Sequence, residues 1–414
     1  MATIEKELID LKLSNFESYN LSQLFFSLSE HDRISPNKNL VTSKRLFLRL
    51  FFETDKWVFQ KGKGKLLFFL QNSSRSDVIN LVGNVVDIVD DRSFIYLTKT
   101  NSIHLFKSLK YIKLFILWKY TLKKETSLSK IQIRKVINIL IRISKLSDQL
   151  KLVDFSKYNL LINFYDAEPI GNFMAQTLMK FGCTTATLSH GVVLSERDNT
   201  VIDYSGIELK GFISDYFLAW NRFSKREALK QGIGESKIKI LGIPKFINFE
   251  SSQSNSIVGI IGVILDNKSG DKYNRILIEM ANKFCEKNSY FYLIRFHPSF
   301  SGSEYDNIIN SKFYLGIDKS DSIDNYRKGV EFTLIANSTV FIELVYIGHK
   351  VYRYGSKDIW DKYRDFYYNT FSNFDQFQNL FINKINDSEE LFNELCTIKD
   401  VKKSYSLFLE NFNR

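Results

Sequence analysis

The sequence predicts an α/β protein made of two halves, each with mostly parallel strands. Its 414 residues exceed the roughly 250–300 at which single hydrophobic cores stop growing. In both halves, short apolar runs of strand length alternate with segments of helical periodicity, a pattern typical of parallel sheets. Between the halves, residues 245–256 lose this periodicity and collect serines. We therefore place a linker there and predict domains at 1–247 and 256–414.

The first domain is predicted to begin with mixed helix over residues 1–60, and a βαβ unit follows. Residues 106–151 have the apolar spacing of a helix with lysines interleaved. Pro169 marks a further helix start, because proline is tolerated at the first helical position. The predicted strands are 64–72, 93–98, 158–168, 184–191, 214–220 and 237–245, and the predicted helices are 77–91, 106–151, 169–182 and 222–232.

The second domain repeats the alternation of strands and helices. A loop extends to about residue 372, and C-terminal helices complete the chain. Asn337, Ser338 and Thr339 stand where a strand gives way to a helix. The predicted strands are 256–266, 290–299, 331–336 and 350–355, and the predicted helices are 273–288 and the segment that opens at 337–339.

Composition and charge exclude several classes of protein. With 44% hydrophobic and 25% charged residues the chain reads as globular, and no run of about 18 apolar residues could span a membrane. The three cysteines lie far apart, which fits a reducing cytoplasm. Residues 106–151 hold twelve Lys/Arg against Glu125 and Asp148, a net +10 of the total +11. A nearly neutral remainder argues against a general nucleic-acid binder and indicates one basic face.

The first candidate site lies where the strand at 290–299 ends. Pro298 has no N–H for a sheet, so the strand stops at His297 and leaves the imidazole at its carboxyl end, just past Arg295. Ligands bind at this edge of open α/β sheets. The bland alternative is a histidine that simply faces solvent.

The second candidate site repeats this layout after the strand at 331–336. Ser338 and Thr339 offer hydroxyls at a helix start, and with His297 they would form an anion site suited to phosphate. The alternative is an ordinary helix N-cap. Glu343 lies one turn past Thr339 and is a candidate for binding a hydroxyl group, such as those of a ribose.

Carboxylates follow a strand of the first domain. Asp166 and Glu168 end the strand before Pro169, and His190 ends the next one. We favour Glu168 as a general base, with Asp166 orienting His190 or an acceptor. Alternatively, either carboxylate merely favours the following helix N-terminus electrostatically. Lys245 follows a Gly-Ile-Pro turn and is a candidate phosphate contact. No motif for a metal site or a cofactor is found, so neither is expected.

Four motifs together resemble a known family. LSHG at 188–191, GIPK at 242–245, FHPS at 296–299 and NSTVFIE at 337–343 resemble bacterial cell-surface polysaccharide transferases. This group includes capsule polysialyltransferases, Kdo-transferase-like proteins and CDP-glycerol glycerophosphotransferases. The resemblance covers roughly residues 158–354.

The resemblance implies a glycosyltransferase-B (GT-B) fold, in which two Rossmann-like domains face each other across a cleft, here with extra N-terminal helices. The C-terminal domain would hold a nucleotide-activated donor, with His297 and Ser338 or Thr339 on its phosphate. An acidic residue of the N-terminal domain would act as the base. Ser189 before His190, and the lack of an aspartate-rich context near Ser338, depart from the polyol-phosphate enzymes and favour a sugar donor.

The expected function is therefore a metal-independent, inverting glycosyltransferase that moves a sugar to a glycan or lipid-linked glycan acceptor. The alternatives are a glycerol- or ribitol-phosphate transferase, a UDP-sugar epimerase and a non-catalytic protein that binds anionic surfaces. We expect it in the cytoplasm, peripherally bound to the inner face of the membrane. Residues 106–151, with Tyr111, Phe115 and Trp118, would contact anionic lipid. The alternative is a solvated helical face plus core.

Overall fold

A computed structural model shows that the chain divides into two compact units. The first comprises Met1–Trp220, Ser224–Lys245 and Asp400–Arg414, and the second Asn221–Phe223 and Phe246–Lys399. The sequence predicts residues 400–414 in the second domain, but they group with the first unit. The structure describes residues 3–34, 43–71, 76–103, 105–151, 153–189, 209–244, 256–261, 268–296, 303–320, 322–336, 338, 340–356, 369–383, 397–398 and 400–413.

The strands fall close to the predicted positions, with three additions. β1, β10 and β13 are not predicted from the sequence. In chain order the strands are β1 Phe52–Gln60, β2 Leu66–Leu70, β3 Ser93–Ile103, β4 Leu160–Asn163, β5 Thr184–Leu188, β6 Tyr216–Ala219, β7 Ile238–Ile240, β8 Ile257–Ile261, β9 Phe291–Arg295, β10 Tyr314–Ile317, β11 Phe332–Ile335, β12 Val351–Tyr354 and β13 Thr370–Phe371.

The helices alternate with these strands after a helical N-terminal region. They are α1 Ile4–Glu7, α2 Leu21–Leu24, α3 Phe26–Ile34, α4 Ser43–Phe51, α5 Ser76–Val86, α6 Leu105–Glu125, α7 Lys130–Leu150, α8 Pro169–Lys180, α9 Arg222–Lys230, α10 Lys268–Asn288, α11 Ile323–Lys328, α12 Val340–Tyr346, α13 Phe374–Ile382 and α14 Val401–Asn413. Two short 3-10 helices, Glu235–Lys237 and Ser303–Tyr305, lie between them.

The first unit is built on a seven-stranded sheet in the order β1-β3-β2-β4-β5-β6-β7. All neighbours are parallel except β1, which runs antiparallel to β3. The prediction of helix throughout residues 1–60 is therefore wrong for Phe52–Gln60. Trp57 explains the placement of this strand, because its ring is buried and its Nε1 donates to the Leu146 carbonyl at 3.0 Å.

The predicted long helix over 106–151 is two helices, α6 and α7. Ser129 caps α7, since its Oγ accepts from the Gln132 amide at 3.3 Å while the Gln132 side chain accepts from the Ser129 amide at 2.9 Å. This capping box starts a new helix after the turn that ends α6. Both helices pack on the N-terminal helices, and the Nε1 of Trp118 donates to the Ser14 carbonyl at 3.0 Å.

The second unit contains a six-stranded, fully parallel sheet in the order β10-β9-β8-β11-β12-β13. Its core is rich in aromatic rings, which meet between the sheet, α10 and α13. Phe284 contacts Phe332 edge-to-face at 5.5 Å between ring centroids, and Phe377 at 5.2 Å. Such pairs add to the stabilisation from buried area.

Gly259, in the middle of β8, lies under a buried tyrosine. A Cβ at this position would come within 1.9 Å of the Tyr326 Oη and 2.7 Å of its Cζ. The absent side chain therefore lets α11 approach the sheet closely. Taken together, the two mostly parallel sheets with their helices confirm the predicted α/β fold of two Rossmann-like domains.

Candidate functional site

The sheet of the second unit has a strand order that identifies its ligand-binding edge. Numbered within the unit, the order is 3-2-1-4-5-6, the Rossmann arrangement. Strands 1 to 3 are added toward one edge of the sheet and strands 4 to 6 toward the other, so the strand order reverses between the first and fourth strands. Those strands are β8 and β11, so the crevice lies beyond Ile261 and Ile335. Ser338 follows β11 directly, whereas His297 and Pro298, after β9, lie outside the described residues.

Ser338 lies two residues before the start of helix α12 and is half-buried. Its Oγ accepts from the Val340 amide at 3.3 Å, and its carbonyl accepts from the Phe341 amide at 3.2 Å. These bonds match the N-cap alternative, yet the hydroxyl proton remains available to donate. Thr339 lies outside the described residues, and Glu343 is half-buried on α12.

Arg295 ends β9 and is turned toward a neighbouring segment. Its guanidinium forms an ion pair with Asp318 and donates to the Ser320 carbonyl at 2.9 Å. The Asp318 carboxylate also accepts from the Ser320 Oγ at 2.6 Å. Arg295 thus fixes the chain that follows β10 beside the end of β9. Its predicted role as a phosphate ligand would have to be shared with this carboxylate.

A buried polar cluster lies near the amino end of β11, and it was not predicted from the sequence. The Thr333 Oγ1 is 2.9 Å from the His349 Nε2 and 3.2 Å from the Tyr326 Oη. Burial, and secondarily the charge of Arg327, lowers the pKa of His349 to about 4. The Arg327 Nε donates to the Asp324 carboxylate at 2.6 Å. Since ligands bind at the opposite edge, we assign this cluster to stability.

The sheet of the first unit has its own reversal point. Strands β3-β2-β4-β5-β6 follow the flavodoxin-like order 2-1-3-4-5, which places the crevice beyond the carboxyl ends of β2 and β4. Gln71, just after β2, accepts from the Gly171 amide at 3.1 Å, and the Asn163 side chain donates to the Gly171 carbonyl at 2.8 Å. The first turn of α8 is thereby held at this edge.

Glu168 occupies the N-cap position of α8, with extended backbone angles of φ −78° and ψ 146°. Its side chain makes no capping hydrogen bond and is half-buried. Pro169 follows at the first helical position, as the sequence predicts. The structure therefore places Glu168 beyond the carboxyl end of β4, at the start of α8.

Asp166 is in a different environment, although it is only two residues away. Its side chain is fully buried, and its Oδ2 accepts from the Ser214 Oγ at 2.6 Å, the Ser214 amide at 2.8 Å and the Ile213 amide at 3.1 Å. Tyr165 adopts a positive φ of 102° just before it. Burial raises the pKa of the Asp166 carboxyl, and the hydrogen bonds from Ser214 and Ile213 oppose this shift. Its partners thus belong to the segment that enters β6.

The remaining predicted contacts in the first unit lie at the limits of the described chain. His190 and Lys245 fall outside the described residues. The turn before Lys245 is packed within the unit, since the Asn84 side chain donates to the Pro244 carbonyl at 2.8 Å and the Tyr405 hydroxyl to the Gly242 carbonyl at 3.4 Å. Gly242 has a φ of 93°, which explains the need for glycine.

The basic segment does not present all its charge to solvent. Tyr111 and Trp118, expected at a lipid interface, are 2% and 0% exposed and belong to the core, so that detail is wrong. Lys135 and Lys145 of α7 are also buried, and the Lys145 Nζ donates to the Arg49 carbonyl at 2.7 Å near the end of α4. A cation at a helix C-terminus is stabilising.

The described residues contain neither a metal-binding cluster nor a membrane-spanning helix. Among the residues that the structure describes, no three His, Cys, Asp or Glu side chains lie close enough to hold a metal ion. Within the same part of the chain, no helix combines the length and apolarity needed to cross a membrane. Metal independence remains a prediction.

Comparison with known proteins identifies the fold. No protein-family model matches the sequence, and no curated protein matches it. The structure is similar to MnaA of S. aureus solved with UDP, with a TM-score of 0.52 at 12% identity over 84% of this chain and 95% of that one.

Two other solved structures are similar at lower TM-scores. The UDP-GlcNAc 2-epimerase from Neisseria meningitidis bound to UDP-GlcNAc has a TM-score of 0.49 at 12% identity, over 84% of this chain and 98% of that one. The wall teichoic acid polymerase TagF has a TM-score of 0.43 at 11% identity, over 85% and 89%. The likeness to MnaA shows a shared fold.

Proposed function

We propose that the chain is a glycosyltransferase that uses a nucleotide-activated sugar, with the donor phosphates at the carboxyl edge of the second unit's sheet. One observation carries this proposal. The strand order puts β9 and β11 on either side of β8, so the segments that leave them start two strand spacings apart, about 10 Å. The His-Pro and Asn-Ser-Thr motifs follow these two strands in sequence, and the separation suits a diphosphate.

The chemistry of these groups suits the departing nucleotide. Sugar transfer leaves negative charge on the donor phosphate, and preorganised hydrogen-bond donors stabilise such charge. Ser338 supports this role, because its Oγ accepts from the Val340 amide and its proton can be donated outward. We propose that His297 supplies a second donor from the segment after β9.

The acceptor hydroxyl must lose a proton, and we propose Glu168 as the base. Its N-cap position at the reversal point of the first sheet, and its half-buried side chain, support this choice over the fully buried Asp166. A carboxylate base that acts directly on the acceptor gives inversion at the sugar carbon. The acceptor we propose is a glycan or lipid-linked glycan of a cell-surface polysaccharide, as the resemblance implies.

The donor site is tested by measuring the unfolding temperature of the full chain with UDP, CDP, CMP and GDP. UDP comes first, since MnaA was solved with it. A nucleotide at a hundred times its dissociation constant adds about 2.7 kcal/mol to the free energy of unfolding. If none of the four raises the unfolding temperature, the proposed donor site is refuted.

Ser338→Ala and Ser322→Ala form a matched pair within the second unit. Ser322 caps α11, where its Oγ accepts from the Asn325 amide at 3.1 Å. Each substitution removes a cap and costs about 1 kcal/mol without ligand. We expect only Ser338→Ala to reduce the additional stabilisation by nucleotide. Equal ligand effects in both variants would contradict a phosphate contact at Ser338.

The alternative reactions on this fold are separated by their products. A UDP-sugar epimerase converts its substrate with no acceptor present, whereas a polyol-phosphate transferase consumes a CDP-polyol and transfers its phosphate. Incubation with UDP-, CMP- and GDP-sugars, with and without a glycan acceptor, distinguishes these from sugar transfer. Release of nucleotide that depends on both donor sugar and acceptor is the expected result.

A further inference from the structure

Helix α6 has two apolar faces, and only one of them is covered. Its inner face is part of the core of the first unit, through Tyr111, Leu114, Trp118 and Leu122. The outer face carries large apolar side chains in solvent: Leu109, Ile116, Leu117 and Tyr120 are 65%, 60%, 45% and 66% exposed. A surface helix of a globular protein normally places charged and polar residues there.

Lysines flank this exposed stripe on both sides. At 100° per residue, Leu109, Ile116 and Tyr120 fall within about 40° of one another on the helix. Lys119 and Lys123 lie on one side of this line, and Lys110, Lys113 and Lys124 lie on the other. All five lysines are exposed, and two of them also form ion pairs, Lys110 with Asp148 and Lys124 with Glu125. The result is an apolar line with basic borders, about 16 Å long from residue 109 to 120.

We propose that this outer face of α6 docks on an anionic lipid surface. Leu109, Ile116 and Tyr120 would enter the boundary between headgroups and acyl chains, while the lysine stems extend so that their ammonium groups reach lipid phosphates. Charge complementarity favours this occupant. An anionic leaflet attracts each of the five lysines, and the apolar line supplies the second attraction that stable interfacial binding requires.

A second copy of the chain is a poorer partner for the same face. In a two-fold symmetric contact the same patch is used by both copies. The five lysines of one α6 would then lie against the five of the other, and like charges repel at such distances. The proposal goes beyond the transferase activity and does not depend on it.

Cosedimentation with vesicles tests the docking surface. The probes are vesicles of phosphatidylcholine alone and of phosphatidylcholine mixed with phosphatidylglycerol, from low salt to about 1 M, where the Debye length falls to about 3 Å. We expect the full chain to bind the mixed vesicles at low salt and to be released as salt rises. Failure to bind mixed vesicles at low salt would overturn the proposal.

Two variant pairs separate the two attractions. Lys113→Gln with Lys123→Gln should weaken binding about 25-fold at low salt and flatten the salt dependence, at about fivefold for each lysine. Ile116→Ser with Tyr120→Ser should weaken binding by at least about tenfold at every salt concentration while keeping its slope. These side chains are exposed, so the thermal unfolding midpoints should match wild type.

A control pair makes the same chemical changes on α14 of the first unit, where Leu407 is 56% exposed and Lys403 is exposed. Leu407→Ser with Lys403→Gln should leave vesicle binding unchanged. If it weakens binding as much as the α6 pairs, the attraction is not specific to this face. If sedimentation equilibrium finds a dimer that Ile116→Ser with Tyr120→Ser dissociates, and vesicles do not bind, α6 is an interface between copies and the proposal is wrong.

Discussion

Replacing Asp166 by alanine should destabilise the first unit rather than act directly on catalysis. The Oδ2 of Asp166 accepts three hydrogen bonds, two of them from the backbone amides of Ile213 and Ser214. Without the carboxylate the Ser214 amide loses its acceptor in a buried place and the Ile213 amide in a part-buried one, at about 1–3 kcal/mol each, or at most about 2–6 kcal/mol together. The Ser214 hydroxyl is still 3.0 Å from the Thr187 Oγ1, so its loss is smaller.

The burial of the carboxylate offsets part of this cost. Burial raises the pKa of Asp166, so the charged form is disfavoured in the folded state, and removing it relieves that penalty. We therefore expect the lower half of the range, about 2–4 kcal/mol. For a unit of this size that corresponds to roughly 5–10 °C in the unfolding midpoint.

Calorimetry and urea unfolding followed by circular dichroism measure this change. Asp215→Ala is the matched control, because the exposed Asp215 carboxylate accepts from the Thr185 amide at 2.8 Å and from the Thr185 Oγ1 at 3.1 Å. Water can replace an exposed acceptor, so this loss should stay under about 1 kcal/mol. An Asp166→Ala protein as stable as wild type would refute the reasoning from the buried network.

Three further changes have distinct signatures. Glu168→Gln should lower turnover by about 10²–10⁴ while the unfolding midpoint stays near wild type; normal turnover would exclude Glu168 as the base. Gly259→Ala should cost about 1–3 kcal/mol by overpacking against Tyr326, whereas Gly83→Ala, whose Cβ meets nothing within 4 Å, should stabilise by up to about 1 kcal/mol; equal effects in urea unfolding would contradict this. Because burial lowers the pKa of His349 from its ordinary 6.5 to about 4, its stabilisation is fully present above pH 6.5 and is lost as pH falls toward 4. Unfolding at pH 5 should thus cost about 2 kcal/mol less than at pH 7, a difference that His349→Gln should remove.

The central strands could be predicted from the sequence because both faces of each strand are buried. β2, with the sequence LLFFL, is buried at every position and reads as a continuous apolar run. The strands that sequence reasoning missed, β1, β10 and β13, all lie at sheet edges. β1 contains Glu53, Asp55 and Lys56, and β10 alternates half-buried with exposed residues. An edge strand pairs with only one neighbour and needs few buried apolar side chains, so its sequence shows only a weak strand pattern.

The break between α6 and α7 had a readable signal that was overlooked. Ser129 and Gln132 have the S-x-x-Q spacing of a capping box, and the structure forms both of its hydrogen bonds. The two faces of α6 were harder to assign, since lysines and apolar residues alternate around the whole helix. Trp118 and Tyr111 looked suited to an interface, but their burial depends on contacts with distant N-terminal segments.

The sequence predicts which edge of each sheet carries the candidate site, but it does not predict the surroundings of the side chains there. The sequence predicts Glu168 at the end of one strand and Arg295 near the end of another. The structure ends β9 at Arg295, but it ends β4 at Asn163, so Glu168 lies beyond that strand at the N-cap of α8 and its predicted place within the strand is wrong. The difference between Glu168 and Asp166 could not be derived, because the partners of Asp166 come from residues 213–214, far along the chain. Likewise, nothing local to Arg295 indicates that Asp318 neutralises it.

Helix α14 has a consequence for the order in which the chain folds during synthesis. It belongs to the first unit, where the ring of Tyr216 meets those of Phe408 and Phe412 and the Asn159 side chain donates to the Phe412 carbonyl at 3.0 Å. Roughly 150 residues separate Lys245 from Asp400. At 5–20 residues per second, the ribosome needs about 10–30 s to make them. During that interval the ring of Tyr216 and the neighbouring surface that α14 covers stay open on the nascent first unit.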